Sequence, residues 1–165
     1  MTSGGSQSGE RSATSVFSGD EFSFSMPSRL EYLSVIDKLV EGIIEACEID
    51  EEPGIALATS VIEACTNAIQ HGHKHDPSKF FSCRFEFASD RITVTVTDSG
   101  AGFDLDKVLV SDPTGPEGIM KSRGRGIFIM KTMMDEVDFS TGDPTGTVVH
   151  LVKFLTDGPG SGPGV

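Results

Sequence analysis

A chain of 165 residues with thirteen Lys and Arg against twenty-five Asp and Glu carries a formal charge of −12, and a field of that sign repels nucleic acid and anionic membrane surfaces. With 37% hydrophobic residues, no Trp, one Tyr and eleven Phe, the composition suits one globular domain whose aromatic core is built from phenylalanine. No run of eighteen apolar residues occurs and the opening MTSGGSQSGERSATS lacks the apolar centre of a secretion signal, so a soluble cytoplasmic protein is expected.

Residues 1–20 are rich in Ser, Gly and Thr, and 157–165 in Gly and Pro. Neither end offers enough apolar surface to offset ordering entropy, which predicts flexible tails around one domain at 21–156. Phe22, Phe24 and Met26 alternate as in a half-buried strand. A helix is predicted from Pro27, with Leu30, Leu33, Ile36, Val40, Ile43 and Cys47 on its apolar stripe. A second helix begins at Gly54, with Ile55, Ala58, Val61, Ile62, Cys65, Ala68 and Ile69 as its stripe and Gly72 as its stop. Strands follow at 80–88 and 91–98, joined through Ser89 and Asp90. The stretch 104–124 holds two prolines and no period, the mark of a lid or a disordered loop. A third helix starts near Arg125, and strands at 135–140 and 147–155 close the chain around the turn GDPTG. Strands grouped with strands in this way predict an α+β fold, a two-layer sandwich with helices on one face of a mostly antiparallel sheet. Cys47, Cys65 and Cys83 each fall within apolar patterns, so reduced core thiols are expected.

Three places carry chemistry. Glu63 and Asn67 stand four apart, so they share a face of the second helix and point away from its buried stripe. A carboxamide oxygen suits Mg²⁺, and a carboxylate beside it can act as a general base, although two solvated polar residues would share this spacing. In DSGAGFD, Asp98 ends an apolar strand and is followed by Gly100 and Gly102. An acid there can accept a hydrogen bond from a purine amine while the glycines leave room for the ring, and a plain turn fits equally. Gly124, Arg125 and Gly126 open the third helix, where free N–H groups and the charges of Arg123 and Arg125 favour phosphate. GPEGIMKS is no Walker A loop, because Met120 stands where glycine must precede the lysine.

In order and spacing, EACTNAIQHG, DSGAGFD, GRGIFIMKTMMDEV and a final GT closely resemble the ATPase fold shared by gyrase, heat-shock protein 90, histidine kinases and MutL. Within it the nearest likeness is to the bacterial anti-sigma factor serine/threonine protein kinases, over roughly residues 22–155. The resemblance implies ATP and Mg²⁺, with Glu63 as catalytic base and Asn67 as Mg²⁺ ligand. It further implies Asp98, with Gly100 and Gly102, as the adenine reader, Gly124 and Gly126 over the phosphates, Thr147 near the adenine amine, and His71 close to the nucleotide. A sigma factor, an anti-anti-sigma factor of the STAS type as phosphorylation substrate, and a homodimer are the implied partners. Arg29, early in the first helix of an acidic chain, is a candidate contact; a solvated arginine is the plain alternative.

Two other functions remain open. One is a module that uses ATP only to fix its shape and sequesters a partner; the other is the catalytic half of a histidine kinase. A long dimerisation helix pair with a phosphoacceptor histidine would be needed for the second, and only one helix precedes the ATP-binding one. His71, His73 and His75 alternate ahead of Asp76. Zinc would need three or four converging ligands, so His73 and His75 are expected simply to occupy the turn toward Pro77.

Overall fold

A computed structural model of the chain describes residues 17–101, 122–142 and 144–155, and the side chains of Ser122 and Arg123 are not among the described parts. Residues 104–121 of the expected lid, Gly102, and nearly all of both expected tails therefore lie outside the described residues, and the last three residues of that stretch open a helix instead. In chain order the elements are β1 (Glu21–Pro27), a 3₁₀ turn (Leu30–Tyr32), α1 (Leu33–Ala46), α2 (Glu51–Asn67), a π turn (Ala68–Gly72), β2 (Phe80–Phe87), β3 (Arg91–Asp98), α3 (Ser122–Met133), β4 (Glu136–Thr141) and β5 (Thr147–Phe154). The five strands form one antiparallel sheet in the order β1-β2-β3-β5-β4.

Strict alternation gives the sheet one buried face. Phe81, Cys83, Phe85 and Phe87 on β2 and Ile92, Val94 and Val96 on β3 are buried, whereas Thr93, Thr95 and Thr97 point to the opposite side. Helix α2 lies centrally over the buried face and packs against α1, α3, β3 and β5. The two-layer α+β architecture is thus as expected. All three cysteines are free and buried, and Phe17 packs against Phe87 with ring centroids 6.2 Å apart.

The helix boundaries differ from the expectation for identifiable reasons. Pro27 pairs with Phe80 as the last residue of β1. A fixed φ and a missing N–H are as acceptable at the end of an edge strand as at a helix start, so the residue signals both. Helix α1 begins only at Leu33, and Leu30 is exposed. Helix α2 begins at Glu51, with Glu51 and Glu52 favourably placed at its positive end. Its buried residues are Gly54, Ala56, Leu57, Ser60, Val61, Ala64 and Cys65, while Ile55 is 52% exposed. Burial here follows the small residues that let neighbouring elements approach, and a ranking by apolarity places the stripe a step too far round. Helix α2 passes at Asn67 into the π turn, closed by His73 N–H donating to the Ala68 carbonyl at 2.9 Å. The left-handed residues that turn the chain are Lys74 and His75, with φ of 54° and 61°, rather than Gly72.

Candidate nucleotide site

The site is assembled by one cross-strand register, one helix face and one helix start. In the β3–β5 ladder Asp98 stands directly opposite Thr147, so two polar side chains remote in sequence meet at the end of the sheet. They are 6% and 5% exposed. Asp98 Oδ1 accepts a hydrogen bond from the Gly100 N–H at 2.8 Å. Thr147 Oγ1 has no hydrogen-bond partner among the described residues. A buried hydroxyl without a partner is destabilising by about 1–3 kcal/mol, and its persistence here marks a position where a ligand atom can complete it.

Around this pair the walls are apolar: Ala68, Val96, Ile127, Phe139 and Val149, with Asn67 at the side toward the helix. Apolar walls with a few convergent polar groups suit a flat heteroaromatic base. An acceptor carboxylate beside a hydroxyl that can both give and take a proton fits the amine edge of adenine. The pocket has a free volume of about 10 Å³, room for roughly one water, so a bound base requires its walls to part.

Glycines bring the backbone close at this end of the sheet. A Cβ on Gly72 would lie 2.5 Å from the Asp98 carboxyl carbon, and one on Gly100 would lie 2.1 Å from the Gly72 carbonyl oxygen. The π turn and the turn after β3 therefore interlock through bare backbone. His71 lies half-buried in that π turn, next to Gly72.

Glu63 and Asn67 share a face of α2, as their spacing requires. They do not project into open solvent: both are half-buried beneath the start of α3. A Cβ on Gly126 would lie 2.5 Å from Glu63 Oε2 and 3.4 Å from Asn67 Nδ2. Because α3 begins at Ser122, Gly124 falls in the first turn, whose N–H groups have no acceptor within the helix. Gly126 sits further in, so its contribution is the space left by its missing side chain. Arg125 is exposed. Glu63 and Asn67 are thus brought together with Gly126, and Asp98 with Gly100 and Thr147, while Asn67 borders both groups. Its carboxamide oxygen is a hard donor of the kind that could hold Mg²⁺.

The histidine run splits apart. His75 is exposed, whereas His73, expected in the turn, is 2% exposed. Its Nδ1 lies 2.5 Å from Ser28 Oγ, and its Nε2 accepts the Ser99 backbone N–H at 2.9 Å. Its neighbours are thus Ser28 at the end of β1 and Ser99 beside Asp98. Burial holds its pKa below the ordinary histidine value; Asp98 and Asp76 pull it up and Lys79 pushes it down. No pattern local to the chain reveals that this ring turns inward, because both of its partners are distant in sequence.

Comparison with known proteins identifies the family and the fold. The family model for the histidine kinase-like ATPase domain matches residues 26–153. Serine-protein kinase RsbW of Bacillus licheniformis is 34% identical over 140 residues, covering 82% of this chain and 86% of the relative. The RsbW of Bacillus subtilis is 31% identical with the same coverage. Among solved structures, the SiaB-SiaC complex from Pseudomonas aeruginosa matches with a TM-score of 0.60 at 10% identity, over 79% of this chain and 88% of that one. The RsbU and RsbW domains of Rv1364c from Mycobacterium tuberculosis match with a TM-score of 0.57 at 12% identity, over 83% of this chain, which spans a third (33%) of that longer one. These two likenesses concern the fold. On the match across most of its length and on the identity with RsbW, the chain belongs to the histidine kinase-like ATPase domain family, among the relatives of the serine-protein kinases RsbW.

Proposed function

We propose that this protein is an ATP-dependent protein serine/threonine kinase and anti-sigma factor. In this reading it phosphorylates a small anti-anti-sigma partner of the STAS type and holds a sigma factor inactive. The observation that carries the proposal is the placing of a half-buried carboxylate, Glu63, beside Asn67 under the start of α3, next to a pocket lined by the buried Asp98 and Thr147 pair. A module that only binds nucleotide needs the pair and has no use for the carboxylate.

Adenine enters between α2 and the β3–β5 end of the sheet, where Asp98 accepts a hydrogen bond from its amine and Thr147 completes its hydrogen bonding. The triphosphate then runs toward the first turn of α3, where the Gly124 N–H and the local helix charge face it. His71 lies near the nucleotide, and Arg123, Arg125 and Gly102 are assigned to the phosphate and base sides by family likeness. Asn67 would hold Mg²⁺, which supplies charge balance for the phosphate oxygens. Glu63 accepts the proton of the substrate hydroxyl as its oxygen bonds to the γ-phosphorus and the bond to the ADP oxygen breaks. Such transfer depends mostly on positioning and electrostatics.

Phosphate added to the partner would weaken its hold by repulsion and desolvation, freeing the kinase for the sigma factor. Exposed Arg29, in extended backbone just before α1, is proposed as a partner contact, and the protein is proposed to act as a homodimer. The test is transfer of labelled γ-phosphate from Mg·ATP to a purified STAS-type partner by wild type and by Glu63→Gln. Acid-stable phosphoserine or phosphothreonine made only by the wild type supports the kinase. ATP binding without Glu63-dependent transfer replaces it with a sequestering module.

A further inference from the structure

His73 has no role assigned above, yet its ring is buried between two polar contacts. A backbone N–H can only donate, so the 2.9 Å contact from the Ser99 amide makes His73 Nε2 an acceptor that carries no proton. The Ser99 hydroxyl lies on the same nitrogen at 3.2 Å. In the neutral ring the proton then sits on Nδ1 and is donated to Ser28 Oγ at 2.5 Å. Ser28 is itself held, its N–H donating to the Lys79 carbonyl at 2.9 Å. The imidazole is thus a fixed strut between the end of β1 and the residue that follows Asp98.

Position gives the strut its consequence. Ser99 lies between Asp98 and Gly100, and the turn they make is closed by the Gly100 N–H on Asp98 Oδ1 at 2.8 Å. Fixing the Ser99 amide fixes the direction in which the Asp98 carboxylate leaves the strand. Protonation of His73 would set two N–H groups against each other at 2.9 Å and remove the anchor. The charges facing the ring are Asp98 from β3 and Asp76 and Lys79 from the turn before β2. The β1 side offers only the uncharged Ser28, with Arg29, Glu31 and His75 around the open hollow outside it.

We propose that His73 is a positioning residue for the base-reading turn: its unprotonated Nε2 holds the Ser99 amide so that Asp98 is set for adenine. The proposal rests on the base pocket described above.

The test is calorimetric titration of the full chain with Mg·ADP at pH 7.5 and 5.5, for wild type, His73→Gln, His73→Phe and Asp98→Asn. A glutamine carboxamide oxygen can replace Nε2 as acceptor and does not titrate. Expected are a wild-type affinity that falls several-fold at the lower pH and a His73→Gln affinity close to wild type at pH 7.5. The additional loss at pH 5.5 should be absent from His73→Gln, since phosphate protonation affects both proteins alike. His73→Phe should bind about ten-fold more weakly, the scale of one lost hydrogen bond. Should His73→Phe not fold, the comparison of wild type with His73→Gln decides alone, and parallel pH profiles overturn the proposal. Loss of binding in Asp98→Asn with wild-type binding by His73→Phe overturns it while leaving the base pocket intact. Undiminished binding by Asp98→Asn overturns the pocket reading and the proposal together.

Discussion

The two halves of the proposed nucleotide site are held in different ways. At the base end, strand register, a buried hydrogen bond and interlocked backbone fix Asp98 and Thr147. At the phosphate end, Glu63 and Asn67 project from one helix toward the start of another, and a Cβ on Gly126 would meet the ends of their side chains. Rigid packing suits the recognition of an unchanging ring. Side-chain ends on a helix face suit groups that must take a proton and release a product. Perturbing the interlocked backbone of the base end should therefore damage stability and affinity together, and perturbing the phosphate end should damage turnover alone.

The sharpest break is Glu63→Gln. Loss of a general base reduces transfer by about 10²–10⁴-fold, measured as labelled phosphoprotein per minute, with ADP affinity within about two-fold of wild type. Next come two glycines. Gly100→Ala drives a methyl onto the Gly72 carbonyl, where backbone must yield, and a loss of about 3 kcal/mol is expected. Thermal denaturation should show it as a fall of roughly ten degrees in Tm. Gly126→Ala meets the far end of the Glu63 side chain instead, which can swing aside. Its Tm should move by no more than about two degrees while turnover falls on the order of 10²-fold, because the base is displaced. If both alanines behave alike, the distinction between the halves is wrong.

Thr147→Val sharpens the comparison with opposite signs. Removing a buried hydroxyl that has no partner among the described residues should stabilise the nucleotide-free protein by about 1 kcal/mol and weaken ADP binding by about ten-fold. Unfolding and titration of the same sample read both. The smallest effect is on pH. His73 has a folded pKa below its unfolded value of about 6.5, so the unfolded chain binds the extra proton. Stability is complete above about pH 6.5, declines as pH falls below it, and stops declining on this account below the folded pKa. Denaturant midpoints between pH 7.5 and 5.5 should show the decline in wild type relative to His73→Gln.

Sheet and site were legible in the sequence to different depths. Strands β2 and β3 were plain because apolar residues alternate from Phe81 to Phe87 and from Ile92 to Val96 and no helical period competes. Pro27 misplaced the start of α1 because proline ends an edge strand as readily as it opens a helix. Ile55 misplaced the stripe of α2 because Ala56, Ser60 and Ala64, which are buried, look unremarkable by hydropathy. Glu63 with Asn67 and Asp98 with Gly100 were readable because each pair lies within four residues. Thr147 came through family likeness alone, since its partner lies on another strand. His73 was missed for the same reason: its contacts, Ser28 and Ser99, are brought to it by the sheet and the π turn.

The central claim is that adenine is read between Asp98 and Thr147, and thermal denaturation with Mg·ADP or Mg·GDP tests it most directly. A ligand that binds only the folded state raises Tm. The account predicts a rise with ADP, little or none with GDP, and no ADP effect in Asp98→Asn. An equal rise with GDP, or an undiminished ADP shift in Asp98→Asn, would contradict it.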